Sequence, residues 1–163
     1  MDAKTKDLLG VYLNDHLAGS TVGVQLARRI AASPQHMPAP ADVLNRFAAE
    51  VSEDRTALVR IMATVGIKVR GYKMYAAWAG EKLGRLKPNR YVLNRSPLSS
   101  LEELEIMRLG VEGKAAGWRT LRSLADRDSQ LDAGRLDELI ARAAGQADLL
   151  ETLRADMAER IFS

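Results

Sequence analysis

The chain has 163 residues, of which 47% are hydrophobic and 28% charged, a composition typical of one folded domain (1–163) and not of a disordered chain. It contains no cysteine, which excludes a disulfide scaffold, thiolate metal sites and a cysteine nucleophile. Neither a secretory signal nor an apolar run of transmembrane length is visible, so we expect a cytoplasmic location.

Apolar residues that recur at steps of three and four predict an all-α fold of four long helices. We expect helices over about 4–32, 41–66, 98–125 and 135–161. Three prolines between residues 34 and 40 end the first helix. Ser99 with Glu102, or Ser100 with Glu103, can form a capping box at the start of the third.

The connections between the helices predict the topology. Short connections predict that the first two helices form an antiparallel hairpin, and that the last two do the same. About 30 residues join the second helix to the third, and their own apolar stripe predicts a connector helix over about 68–86. So long a connection can return along a bundle and leave the second and third helices parallel. An up-down-up-down bundle with an extra helix across one end is the alternative.

The stripes also predict which side chains form the core. We expect six residues from the four helices to be buried: Leu13, Val51, Leu58, Val111, Leu150 and Met157. The glycines of GVEGKAAG (110–117) have no phosphate-loop spacing, and we interpret them as positions of close helix packing.

Four stretches carry a family resemblance: YLNDHLAGST (12–21), EDR (53–55), AWAGEKLGRLK (77–87) and SPLSSLEELE (96–105). They resemble a bacterial family of uncharacterised ferritin-like proteins. The resemblance covers most of the chain and implies a ferritin-like four-helix bundle with a long helical connector. It implies no activity, because fold-level analogy cannot supply one.

A carboxylate-bridged metal centre is the sharpest chemical hypothesis for such a fold. Ferritin-like di-metal sites take one Glu from each of two helices and a Glu-x-x-His from each of the others. No Glu-x-x-His occurs here, so a complete di-iron site is not expected. A looser site for iron or manganese would use His16, Glu50, Asp54 and Glu112 as ligands.

Asp54 interrupts the apolar stripe of the second helix, between Val51 and Leu58. A buried carboxylate needs a charged or hydrogen-bonding partner, so a structural role is the simpler interpretation. We expect His16 to be that partner. The alternative partners are Arg108, Arg122 and Arg154. On this interpretation His16, Glu50, Asp54 and Glu112 form a buried polar cluster.

The connector concentrates positive charge and aromatic residues. Residues 68–95 carry a net charge of +7 against −4 for the rest of the chain. Its candidate anion-binding cations are Lys68, Arg70, Lys73, Lys82, Arg85, Lys87 and Arg90. With Tyr72, Tyr75, Trp78 and Tyr91, they could bind nucleic acid or an anionic membrane. Packing of these aromatics on the bundle is the simpler interpretation, and it predicts a buried Trp78.

These observations predict a non-catalytic binding or interaction protein, with a homodimer as one arrangement the sequence leaves open. Enzymatic activity of the ferritin kind is not expected. A metal-binding protein or metal-dependent oxidase is the first alternative, and an anionic-surface binder acting through the connector is the second.

Overall fold

The structure is a computed structural model that describes residues 2–70 and 97–163. Within these ranges it contains no strand and four long helices, which confirms the predicted all-helical class. The helices are α1 (Ala3–Ala31), α2 (Ala41–Thr64), α3 (Pro97–Ala125) and α4 (Ala133–Phe162), with a 3₁₀ turn at Pro34–His36 between the first two. The bounds lie close to those expected from the apolar stripes.

Three helix ends follow from local chemistry. Asp2 and Asp132 cap α1 and α4, because each carboxylate accepts a hydrogen bond from a first-turn amide, at 2.9 Å from Thr5 and 3.0 Å from Arg135. Helix α2 ends at Thr64, and Gly66, two residues later, has a φ of +66°, the left-handed conformation that glycine adopts most easily.

The predicted capping box of α3 is wrong. The helix already begins at Pro97, the position where the missing proline N–H removes no helical hydrogen bond. Ser99 and Ser100 therefore lie inside the helix, and Ser100 is buried. Glu103 does not fold back on Ser100; its carboxylate forms an ion pair of 2.8 Å with Arg29 of α1.

The helix directions follow from contacts between the two hairpins. Tyr12 bonds to Thr120, and Arg29 pairs with Glu103, so α1 and α3 run antiparallel. The short turns make α1 and α2 antiparallel, and likewise α3 and α4. Helices α2 and α3 are therefore parallel, an arrangement that needs a long connection between them.

One apolar cluster lines all four helices. The six side chains expected in the core are all buried, which confirms that part of the prediction: Leu13, Val51, Leu58, Val111, Leu150 and Met157. Within residues 2–70 and 97–163, no helix is long and apolar enough to cross a membrane.

The start of the predicted connector helix is wrong. Residues 68–70 are not helical, because the buried side chain of Asn14 binds their backbone. Its Oδ1 accepts from the Arg70 amide at 2.7 Å, and its Nδ2 donates to the Lys68 carbonyl at 3.2 Å. Lys68 and Arg70 are exposed. The other connector residues proposed for anion binding, and Trp78, lie outside the described residues.

Candidate functional site

A buried polar cluster joins α2, α3 and α4 at mid-height. Its centre is Asp54, which is only 2% exposed. Lys114 Nζ donates to Asp54 Oδ2 and to Gln146 Oε1, while Arg142 donates to Asp54 Oδ1. Both oxygens of the buried carboxylate are thus matched by cations from two other helices, which is the condition for its burial.

The outer part of the cluster completes these hydrogen bonds. Gln146 Nε2 donates to Glu50 at 3.1 Å and to Asp54 at 3.3 Å, and Arg142 reaches the exposed Glu53 at 3.0 Å. Gln146 therefore acts as donor and acceptor at once, and its amide group links Lys114 to the carboxylates of Glu50 and Asp54.

The expected partner of Asp54 is wrong, because three other side chains bind its carboxylate. The nearby polar groups on α3 and α4 are Lys114, Arg142 and Gln146, whereas the predicted arginines bind elsewhere. Arg108 and Arg154 both pair with Glu151, and Arg122 pairs with Asp126 and Asp137.

His16 is half-buried and makes no hydrogen bond to Asp54. Its ring meets Tyr12 edge-on, with the centroids 4.5 Å apart. On α3 it lies against Gly117, so close that a Cβ at that position would come within 3.1 Å of the imidazole. Burial lowers the pKa of His16, and the nearby Asp15 opposes the shift only in part. His16 therefore contacts its neighbours by ring packing against Tyr12 and Gly117.

The proposed ligand set does not gather in one place. Glu112 is exposed, contrary to its predicted place in the buried cluster, because its position on α3 turns it to solvent. Glu50 reaches the cluster only through Gln146. Among the described residues, no three His, Asp or Glu side chains are grouped so that they could hold a metal ion.

A cavity of about 490 Å³ lies between α1, α2 and α3. Its walls are mainly apolar, and they include Leu58, Val111 and Trp118. Asp54 and Lys114 reach it from the polar cluster, and His16 and Arg55 complete the polar part of the wall. Two polar groups predicted from the sequence, His16 and Asp54, therefore share this cavity without bonding to each other.

Glycines form much of the wall between α1 and α3. A Cβ added at Gly19, Gly110 or Gly113 would meet no atom within 4 Å, so these positions border open space. The interpretation of residues 110–117 as close-packing glycines holds for Gly117 and is wrong for Gly110 and Gly113.

Lys114 is the residue of the candidate site that the sequence interpretation missed. Its side chain is 15% exposed. Burial lowers the pKa of Lys114; the Asp54 carboxylate opposes this shift, and Arg142 adds to it. A signal was present, since Lys114 follows Val111 by three residues and precedes Trp118 by four, a position in the apolar stripe.

Comparison of the chain with protein families, curated proteins and solved structures finds no match. The site must therefore be interpreted from its own geometry.

Proposed function

We propose that this chain is a non-catalytic, ferritin-like four-helix protein that binds one small molecule in the cavity between α1, α2 and α3. The observation that carries the proposal is the cavity itself, about 490 Å³ with mainly apolar walls and a few polar groups at one place. Ligand sites in proteins typically enclose about 300–1,000 Å³ and have this composition.

The cavity differs from an ordinary packing defect. Protein interiors are close-packed and contain few voids larger than a water molecule. Here Gly110 and Gly113 are exposed residues at the edge of the cavity, alanine at either would meet no atom within 4 Å, and alanine also favours a helix over glycine. The fold would therefore accept alanine at both positions, and glycine keeps the edge of the cavity clear.

The parallel course of α2 and α3 supports the ferritin-like part of the proposal, since that topology needs a long crossover between them. The chemistry of the cluster favours binding over the metal-dependent oxidase alternative. Both oxygens of Asp54 already accept from Lys114, Arg142 and Gln146, so a metal would have to displace ion pairs to reach them.

The test uses three fluorophores that share a dimethylaminonaphthalene body and carry a carboxylate, a carboxamide or no further group. We expect at least one to bind the wild type with one-to-one stoichiometry. Gly113→Ala should weaken that binding about tenfold or more, because one methyl group occupies ligand space. It should also stabilise the protein by about 0.5–1 kcal/mol, as expected for Gly to Ala in a helix.

Gly145→Ala is the matched control. Gly145 lies in α4, outside the cavity wall, and an added Cβ there also meets nothing within 4 Å. The same helix stabilisation is expected with unchanged affinity. The proposal is wrong if none of the three fluorophores binds, or if Gly113→Ala and Gly145→Ala change affinity equally.

A further inference from the structure

The class of ligand can be inferred from the hydrogen-bonding groups of the cavity, on the basis of the binding function proposed above. The carboxylate buried deepest in the wall is already occupied. Asp54 accepts at both oxygens, and the Tyr12 hydroxyl is bonded to Thr120 at 3.1 Å. The half-buried Ser20 uses its hydroxyl hydrogen on the Leu17 carbonyl at 2.7 Å, and the exposed Asp15 also lines the wall.

Donors, in contrast, remain available. An ammonium group has three N–H donors, and Lys114 directs two of them to Asp54 and Gln146, which leaves one. Arg55 donates from Nε to Thr21 at 3.1 Å, and its terminal nitrogens bind no other described residue. The indole Nε1 of Trp118 is buried and has no acceptor among the described residues. A molecule that satisfies these three side chains must supply acceptors.

The charges indicate which kind of acceptor. The buried or half-buried charged groups of the cluster and cavity comprise three cations, Arg55, Lys114 and Arg142, and two carboxylates, Glu50 and Asp54. Arg55 forms no ion pair within the described part of the chain. Two further carboxylates, Asp15 in the wall and Glu53 beside Arg142, are exposed, so Arg55 is the cation without a buried counter-charge, and a charge-assisted hydrogen bond to an anion is stronger than one to a neutral acceptor.

The environment of Lys114 leads to the same conclusion. Burial lowers the pKa of its ammonium group even though Asp54 is in contact, so its positive charge is incompletely compensated. A second anion beside Nζ would offset this desolvation.

We infer that the cavity takes an apolar molecule with one carboxylate, whose apolar body lies against side chains such as Leu58 and Val111. The carboxylate accepts from the unused N–H of Lys114 and from the terminal nitrogens of Arg55. Both residues line the same cavity, on facing helices α3 and α2.

The three fluorophores test this inference without altering the protein. At low ionic strength, the carboxylate should bind about tenfold or more tightly than the carboxamide, because hydrogen bonds to charged partners are the stronger class. The dimethylaminonaphthalene without a further group should bind most weakly, since it supplies no carbonyl or carboxylate oxygen for the donors. Raising the salt concentration should reduce the carboxylate affinity more than that of the other two.

Arg55→Gln then identifies the site of the carboxylate. Arg55 is half-buried and pairs with no carboxylate of residues 2–70 and 97–163, so the variant is expected to fold. It should remove most of the preference for carboxylate over carboxamide and leave the carboxamide affinity within about twofold. Arg60→Gln is the control, because Arg60 is an exposed arginine of the same helix outside the cavity wall. It should change neither affinity.

The outcomes separate this inference from the proposed function. Equal or tighter binding of the carboxamide, with Gly113→Ala still weakening it, would overturn the carboxylate class and leave the binding function intact. A carboxylate preference that survives Arg55→Gln would overturn the assignment of Arg55. Absence of binding by all three fluorophores would overturn both proposals.

Discussion

The two hairpins of this protein meet along two seams of opposite character. Between α2 and α4 the contact is made by long charged and amide side chains centred on Asp54, Arg142 and Gln146. Between α1 and α3 the contact is made by small residues and aromatic rings; the imidazole of His16, for example, lies against Gly117. In the first seam both oxygens of Asp54 are hydrogen-bonded, and the second seam borders a cavity beside its glycines.

The difference shows that a hydrogen-bonded ion-pair cluster and an open cavity can lie side by side at the same height of one bundle. A buried ion-pair cluster has few alternative arrangements, so it can fix the register of two helices. Glycines allow helices to approach closely where a ring such as that of His16 fits, and they leave space where no side chain faces them. Lys114 belongs to both regions, since it completes the cluster and lines the cavity.

The largest expected effect comes from breaking the charged seam at its centre. Asp54→Ala leaves Lys114 and Arg142 buried without their shared carboxylate, and should lower the free energy of unfolding by about 3–5 kcal/mol. Glu53→Ala is the control, because Glu53 contacts the same Arg142 but is 67% exposed, and should cost at most about 1 kcal/mol. Chemical denaturation measures both; equal losses would contradict a central role for Asp54.

Truncation of leucines should distinguish the filled core from the wall of the cavity. Leu150→Ala, in α4 and away from the cavity, should cost about 2–5 kcal/mol from lost transfer energy and the new void. Leu58→Ala should lie near the lower end of that range, because Leu58 borders existing open space. Denaturation midpoints with unchanged m-values would measure the difference, and a larger loss at Leu58 would contradict it.

The close contact of the glycine seam can be tested by overpacking. Gly117→Ala would place a Cβ 3.1 Å from the His16 ring, and should cost about 1–3 kcal/mol. In a His16→Ala background the same change should cost nothing, or should stabilise the helix. A double-mutant cycle measures this coupling, and purely additive losses would show that the two residues do not press on each other.

The smallest effect concerns pH. Burial lowers the pKa of His16 in the folded state, so the unfolded chain binds a proton more readily. Stability should therefore fall as the pH drops through the unfolded-state value of about 6.5. Denaturation of the wild type and of His16→Asn between about pH 5 and 8 should differ in slope, with the steeper loss in the wild type. Parallel curves would indicate that His16 titrates alike in both states.

The sequence by itself determined the helical class and most of the core. Steps of three and four place Leu13, Val111 and Leu150 on single helix faces, and a helix must bury such a face. It also identified Asp54 as a buried polar position. The same reasoning extends to Lys114 and Gln146, each of which takes a place in the apolar stripe of its helix. That regularity was a usable signal for the cluster.

Only the tertiary structure decided which polar groups meet. A position in an apolar stripe indicates that a side chain faces the interior. It does not indicate the height at which that side chain meets another helix, because this height depends on loop lengths and helix register. His16 and Asp54 both face the interior, yet Lys114 takes the place beside the carboxylate because its long side chain reaches across from α3. The cavity was likewise undetermined, because a glycine allows close packing or open space and only the facing helix distinguishes them.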